Sequence, residues 1–175
     1  MSRYGFIKVA AATPLVKIAD CHANAKAIDE MTAEAVERGA SVVVFPELSL
    51  TGYTCGDLFL QSRIIEAGDE ALEQLLATPR PIVSIIGMPI YYKNNLYNCA
   101  VVIANGKICG IVPKSYIPNY SEFYESRWFS EGRDTFLRHK VYFTIFLFVK
   151  NNKYGKISLF QCQFPEKSYY LCIRF

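Results

Sequence analysis

The chain is poor in the residues that build metal centres and disulfide frameworks. It has two histidines in 175 residues, and its cysteines form no CxxC pair and accompany no His-rich segment. This scatter predicts neither a metal site nor a disulfide framework, so most of the thiols are expected to be plain buried side chains. The possibility that one of them is a nucleophile stays open. The cysteines are Cys21, Cys55, Cys99, Cys109, Cys162 and Cys172.

Long apolar runs and a strong net charge are also missing. No stretch reaches the roughly 18 apolar residues that a membrane-spanning helix needs. The net charge of +3 is too small to argue for nucleic acid or an anionic membrane as a partner. The first residues lack the regions of a signal peptide. We therefore expect a cytoplasmic, globular protein that binds neither nucleic acid nor membrane, with a length that suits one domain.

The composition changes sharply toward the end of the chain. Residues 1–137 carry a net charge of about −3, whereas residues 138–175 carry about +6 and hold ten Phe or Tyr but one glycine. A domain does not normally change its composition in this way. We therefore expect two regions, 1–134 and an atypical tail, 135–175, which we interpret as an out-of-frame extension of a truncated reading frame.

The first 113 residues alternate between strand and helix patterns. Unbroken apolar runs are typical of strands buried on both faces, and between them apolar residues recur at helical spacing in two stretches. The faces predicted to point inward are Ile28, Met31, Ala35 and Val36 in the first stretch and Ile65, Leu72, Leu75 and Leu76 in the second. Gly39 follows the first helix, where a left-handed residue is favoured. The predicted elements are a strand over 5–12, a helix over 20–38, a strand over 41–45, a helix over about 62–77 and a strand over 81–90.

Two hairpins are predicted after these elements. Asn94-Asn95 and Asn105-Gly106 each separate two apolar runs, and an Asn-Gly pair is a strong hairpin signal because both residues accept positive φ. The result is an α/β fold: a mixed sheet with helices on one side, which needs a second layer on its other face. Without that layer we expect apolar sheet surface and unpaired edges to face water, with the run 141–149 as a candidate partner for an edge.

Two polar segments follow buried strands. In the first, Phe45-Pro46-Glu47, a carboxylate held after an apolar strand is expected to be partly desolvated, which raises its pKa toward that of a general base. In the second, Lys114 enters a loop dense in aromatic and acidic residues. A lysine there can stabilise an oxyanion, and Glu125 could hold its ammonium in place. Taken singly, each segment also fits an ordinary surface or packing loop.

Together the two segments are more specific. The runs FPELSLTGYTCGDLF and PKSYIPNYSEFYESRWF resemble the nitrilase, or carbon-nitrogen hydrolase, superfamily, and most of all the glutaminase domains of glutamine-dependent NAD synthetases. The resemblance covers residues 3 to about 134. It implies an incomplete nitrilase-like α-β-β-α sandwich, glutamine as the small-molecule substrate, and homo-oligomers, which family members form. ATP and deamido-NAD would belong to a synthetase domain absent from this chain, so no cofactor is expected here.

The resemblance also implies roles for particular residues. Glu47 would be the general base and Lys114 the residue that stabilises the tetrahedral intermediate of a Glu-Lys-Cys triad. The remaining matches are pocket residues that contact or support glutamine and the lysine: Tyr53, Tyr120, Phe123 and Glu125.

The nucleophile of the triad is not identified by this pattern. Family members carry it in a segment like GVEICEDLW, which has no counterpart here. Cys172 and Cys162 lie 58 and 48 residues beyond Lys114, each after a strand-like run, and neither precedes a Glu-Asp pair. Cys172 is the weak candidate, and Cys162 is weaker.

Three functions remain open from the sequence. The first is glutamine amide hydrolysis that supplies ammonia for NAD synthesis, impaired or absent in a truncated chain. The second is a free-standing nitrilase-like amidase for another small amide. The third is a non-catalytic fragment or pseudoenzyme that keeps the fold without the reaction.

Overall fold

A computed structural model describes residues 6–132 in full and, beyond them, the backbone of three strands at 143–145, 156–163 and 172–173. The two long helices and the central strands lie where the sequence predicts them, within two residues at each end. The elements in chain order are β1 (Phe6–Thr13), α1 (Cys21–Glu37), β2 (Val42–Val44), a 3-10 segment (Tyr53–Leu60), α2 (Ser62–Ala77), β3 (Val83–Tyr92), β4 (Asn95–Ala104), β5 (Lys107–Pro113), a 3-10 turn (Glu125–Arg127), β6 (Phe143–Ile145), β7 (Lys156–Gln163) and β8 (Cys172–Ile173).

Six strands form one mixed sheet in the order β5-β4-β3-β2-β1-β7. The neighbours β1, β2 and β3 run parallel, as their helical connections require, whereas β3, β4 and β5 are joined as antiparallel hairpins. The short strands β6 and β8 pair with each other in a separate two-stranded sheet. This confirms the predicted α/β class.

Local sequence explains where α1 begins and ends. The Asp20 side chain accepts a hydrogen bond from the Ala23 N–H at 3.1 Å, which satisfies a free donor in the first turn. At the other end Gly39 adopts φ +74°, as predicted, and its N–H donates to the Val36 carbonyl at 2.8 Å.

The helices cover one face of the sheet. The faces predicted to point inward are confirmed at Ile28, Ala35, Leu72 and Leu75, all of which are buried. In α2 the predicted Ile65 is partly buried and packs against the same core, and Ile64, which the prediction left out, is fully buried beside it. None of the helices in the described part of the chain is long and apolar enough to cross a membrane.

Most of the opposite face of the sheet is also buried, so the expectation of an exposed apolar surface is wrong for its central strands, whereas Val112 on β5 is 47% exposed. Six side chains on this face form a second buried cluster, each between 1% and 9% exposed: Val9, Val42, Val44, Ile85, Ala100 and Val102. The β1 edge is paired as well, since β7 runs antiparallel along all eight of its residues. The part of the run 141–149 that the structure describes pairs with β8 instead, and the domain boundary predicted at residue 134 stays a prediction.

One predicted turn is misplaced by a residue. The positive-φ pair of the first hairpin is Lys93-Asn94, at +45° and +64°, and Asn95 already belongs to β4. The second hairpin turns at Asn105-Gly106, as predicted, with both φ angles positive.

Candidate active site

The segment that carries Glu47 leaves β2 and crosses the neighbouring strand β3. The Phe45 N–H donates to the Ile85 carbonyl at 2.9 Å, and the Leu50 N–H donates to the Gly87 carbonyl at 3.1 Å. This crossing requires glycine at position 87, because a Cβ there would lie 2.4 Å from the Leu48 nitrogen. The crossing places Glu47 at the strand ends, where α/β folds hold their sites.

Lys114 follows β5 directly and is fixed through its backbone on both sides. Its N–H donates to the Asn98 carbonyl at 2.7 Å, and its carbonyl accepts from the Gly132 N–H at 3.0 Å. A Cβ at Gly132 would lie 2.5 Å from the Cβ of Pro113, so the return of the chain depends on this second glycine.

Glu125 lies on the 3-10 turn that closes the long loop after Lys114. Its residue is only 3% exposed, and its N–H donates to the Pro118 carbonyl at 3.3 Å. The loop therefore folds back on itself and returns a second carboxylate to the lysine.

These three side chains meet in one buried cluster. The Lys114 Nζ lies 2.6 Å from Oε1 of Glu47, and 2.8 and 3.0 Å from the two carboxylate oxygens of Glu125. The side chains are between 5% and 16% exposed. Two carboxylates therefore share one ammonium away from bulk water.

Two further polar side chains complete the cluster. The Tyr53 hydroxyl donates to Oε1 of Glu125 at 2.6 Å. The Asn98 amide Nδ2 donates to Oε1 of Glu47, a contact that sequence reasoning missed. A polar residue inside the apolar run 96–104 was its only signal.

Electrostatics follow from this burial. Burial raises the pKa of Glu47, although the hydrogen bond and the charge of Lys114 act in the opposite direction. This direction agrees with the sequence prediction for a carboxylate after a buried strand. Burial and the hydrogen bond to Glu125 raise the pKa of Tyr53, so its hydroxyl stays a donor.

A cleft of about 450 Å³ opens onto the cluster, within the size range of small-molecule sites. Its wall combines the charged groups with aromatic residues of the 114–125 loop. All six residues predicted from the first 134 line it together, along with Tyr116, Ile117 and Pro118: Glu47, Tyr53, Lys114, Tyr120, Phe123 and Glu125.

A second polar cluster lies on the surface beside the first. The Arg127 guanidinium donates to both carboxylate oxygens of Asp57, at 2.7 and 2.9 Å, and the Trp128 Nε1–H donates to Oδ1 at 2.9 Å. These contacts join the 3-10 segment of Tyr53 to the 3-10 turn of Glu125. The loop that carries Glu125 is thus held from outside as well as from inside.

The cysteines of the fully described part stand away from the cleft. None of Cys21, Cys55, Cys99 and Cys109 is among the residues that line it. Burial raises the pKa of Cys99 to about 12, so this thiol stays protonated. A nucleophile is therefore not found within residues 6–132.

The two candidate cysteines of the tail lie on described strands, although their side chains fall outside the described residues. Cys162 pairs with Ile7 near the beginning of β1, whereas Val44, three residues before Glu47, pairs with Ala11. Four strand residues span about 13 Å, so Cys162 is not brought to the Glu47 end of the sheet. Cys172 pairs with Phe143 in the two-stranded sheet, and its candidacy remains untested.

No group of three or more metal-ligating side chains occurs within the part of the chain that was searched, the described residues. The site chemistry is that of a base, an ammonium and a supporting carboxylate, which suits acid–base and oxyanion work.

Known proteins resemble the chain in sequence and in fold. The Carbon-nitrogen hydrolase family model matches residues 8–165. The glutamine-dependent NAD(+) synthetase of Mycobacterium tuberculosis is 40% identical over 132 residues, which are 74% of this chain and 19% of the relative. The solved glutamine-dependent NAD+ synthetase of Acinetobacter baumannii superposes with a TM-score of 0.69 at 31% identity, over 73% of this chain and 24% of that one.

A more distant likeness concerns the fold alone. The amidase from Nesterenkonia sp. AN1, of the nitrilase superfamily, has a TM-score of 0.63 at 20% identity, over 75% of this chain and 50% of that chain. The chain spans about a fifth of the length of the curated relatives it matches. By family match and by identity over its N-terminal part, this chain belongs to the carbon-nitrogen hydrolase family.

Proposed function

We propose that this chain carries the Glu-Lys part of a glutamine-hydrolysing centre that supplies ammonia for NAD synthesis, the activity indicated by the names of its relatives. The observation that carries the proposal is the Lys114 ammonium held between the buried carboxylates of Glu47 and Glu125 at the floor of a small-molecule cleft. If the loop served only for packing, the ammonium of Lys114 would be expected to face solvent.

The proposed reaction assigns one task to each group. Glu47 accepts the proton of a cysteine thiol, and the sulfur attacks the amide carbon of glutamine. Lys114 stabilises the oxyanion that forms, while Glu125 keeps the ammonium in place. The C–N bond then breaks, the nitrogen leaves as ammonia with the proton returned by Glu47, and water hydrolyses the thioester to glutamate and free thiol.

The cleft suits an amino-acid amide in charge and shape. Two carboxylates around one ammonium leave an excess of negative charge that attracts an α-ammonium group. Tyr120 and Phe123 stand with their rings 5.7 Å apart in an edge-on arrangement and give the wall an apolar part. We assign substrate contact to these two residues and to Tyr53.

The ammonia produced would be used elsewhere in a longer protein. The chain corresponds to about a fifth of its curated relatives, and we place ATP and deamido-NAD binding in a synthetase domain outside it. The out-of-frame origin of residues 135–175 is a separate proposal, tested by the nucleotide sequence downstream of residue 134.

Ammonia release from glutamine tests the proposed activity. The sequence predicts that release by this chain is impaired or absent; any release that occurs should be lost in Glu47→Gln and retained in the matched control Glu122→Gln, whose glutamate is exposed. Cys172→Ala tests the candidate nucleophile in the same assay. Release from other small amides but not from glutamine would favour a free-standing amidase. A folded chain that releases ammonia from no amide would favour the non-catalytic alternative.

A further inference from the structure

Asn98 is a buried polar residue in the middle of an apolar strand. It lies on β4 and is 3% exposed, with its neighbours from Leu96 to Ile103 all buried. A buried amide without partners is costly, so such a residue is tolerated where its hydrogen bonds are made. Asn98 contacts both members of the proposed catalytic pair, Glu47 and Lys114.

The side chain and the backbone of Asn98 reach different members of that pair. The Nδ2 group donates to Oε1 of Glu47, and the carbonyl oxygen accepts from the Lys114 N–H at 2.7 Å. The register explains the second contact: Pro113, the last residue of β5, lies opposite Cys99, which brings Lys114 beside Asn98.

We propose that Asn98 is a positioning residue that fixes the Glu47 carboxylate so that Oε1 is occupied and Oε2 receives the thiol proton. This inference rests on the role proposed above for Glu47 as general base. Lys114 donates to the same oxygen, at 2.6 Å. Among the described residues, Oε2 accepts no hydrogen bond, and it is left as the basic oxygen.

A neutral amide is the chemistry this position requires. A single donor would let the carboxylate rotate about that contact, whereas two donors, one on β4 and one directly after β5, hold one oxygen and define the direction of the other. A second cation would lower the basicity of Glu47 further, and an aspartate would repel it. Among the described residues, the charged and titratable groups around Glu47 are Lys114, Glu125 and Tyr53, and an amide adds a donor without altering their balance.

The coupling can be measured in the full-length wild-type chain by NMR. We expect the Asn98 side-chain amide signals to shift with pH at the same midpoint as the Glu47 carboxyl carbon, which Glu47→Gln would identify by its disappearance. The Asn95 amide, on the same strand but exposed, is the internal control and should not follow that midpoint. Independent midpoints for Asn98 and Glu47 would overturn the proposal.

A variant separates positioning from the proposed activity. Asn98→Leu removes the donor at similar volume, and we expect Glu47 to titrate at higher pH, because a hydrogen bond to the charged form has been lost. Asn95→Ala should leave that midpoint unchanged. A Glu47 midpoint unaltered in a folded Asn98→Leu chain would contradict the proposal. Both NMR measurements report the Glu47 carboxylate itself and do not depend on ammonia release. A wild-type chain that releases no ammonia would therefore count against the proposed function without contradicting the role of Asn98.

Discussion

Two ion-pair clusters join the same two segments of this protein, one buried and one exposed. Inside, Tyr53 and Lys114 hold Glu125 against Glu47, with the ionised side chains between 5% and 16% exposed. Outside, Asp57 and Arg127 form a bidentate pair with side chains 60% and 59% exposed. The ion-pair distances are 2.6 to 2.8 Å in both clusters. The two clusters therefore differ in their exposure to solvent and not in their contact geometry.

Because it is buried, the inner cluster is expected to contribute little to the free energy of folding. Two carboxylates and one ammonium lose their hydration on folding, and their attraction does little more than offset that cost. An exposed pair loses little hydration and contributes little. The inner cluster is therefore better explained by chemistry at the cleft, and the outer pair by closure of the loop that bears Glu125.

The strongest way to break this comparison is to remove one cation from each cluster. Lys114→Met leaves two buried carboxylates without a counter-charge, and we expect a loss of about 3–5 kcal/mol in the free energy of unfolding. Arg127→Met, the matched exposed change, should lower the free energy of unfolding far less, because solvent screens an exposed pair. Urea unfolding measures both. Equal losses would show that burial does not distinguish the clusters.

The next largest effect on the free energy of unfolding is expected where the Glu47 segment crosses β3 at Gly87. Gly87→Ala places a Cβ 2.4 Å from the Leu48 nitrogen and 2.5 Å from the Pro46 carbonyl oxygen, and backbone atoms cannot rotate away. We expect a loss of about 1–3 kcal/mol and a displaced Glu47.

Gly68→Ala is the control for that substitution. Gly68 lies inside α2, and a Cβ there would contact only the Met88 methyl, at 3.7 Å. This change should stabilise the protein by about 0.5–1 kcal/mol. If Gly87→Ala is tolerated equally well in urea unfolding, the close crossing of β3 is not required.

The two clusters should also give opposite pH dependences. Burial holds the pKa of Glu47 above its ordinary 4.5, so the folded state binds this proton more tightly than the unfolded chain. The free energy of unfolding therefore falls as pH rises from 4.5 to the folded pKa. Arg127 lowers the pKa of Asp57 from 3.8 to about 2, so stability from this group is lost as pH falls through that window.

Unfolding curves across pH, compared between variants, separate these contributions. Glu47→Gln should flatten the decline above pH 4.5, and Asp57→Asn should flatten the decline below pH 3.8. A Glu47→Gln chain with the wild-type slope above pH 4.5 would contradict the raised pKa.

The smallest effect is expected for the outer pair alone. Asp57→Asn weakens the contacts to Arg127 and Trp128 and should lower the free energy of unfolding only slightly, with less difference from wild type at high salt. The chain has one tryptophan, so its fluorescence reports this site, and a changed emission is expected. A loss as large as that of Lys114→Met would reverse the comparison.

Sequence patterns predicted elements better than their faces and registers. The helices and hairpins follow from apolar spacing and from turn residues such as Gly39 and Asn105-Gly106, which act locally. The predicted α2 stripe was incomplete, since Ile64 is buried beside Ile65 and the spacing pattern did not include it. The first hairpin was misplaced because Lys93, not Asn95, takes the positive φ, a choice set by the pairing of β3 with β4.

Contacts distant in sequence were harder to foresee. The prediction that the second face of the sheet would be exposed was wrong for its six buried residues, because burial depends on the whole chain. The pairing of β7 with β1 links segments at opposite ends of the sequence, and no local pattern specifies such a partner.

The sequence by itself determined the alternation of elements, the family, and the two segments that hold Glu47 and Lys114. Local propensity and motif chemistry suffice for these. The tertiary structure decided that both glutamates share one ammonium, that Gly87 allows the crossing, and that Asn98 contacts the pair. Glu47 and Lys114 are 67 positions apart, and a distance of 2.6 Å between them depends on strand order and register, which only the packed sheet sets.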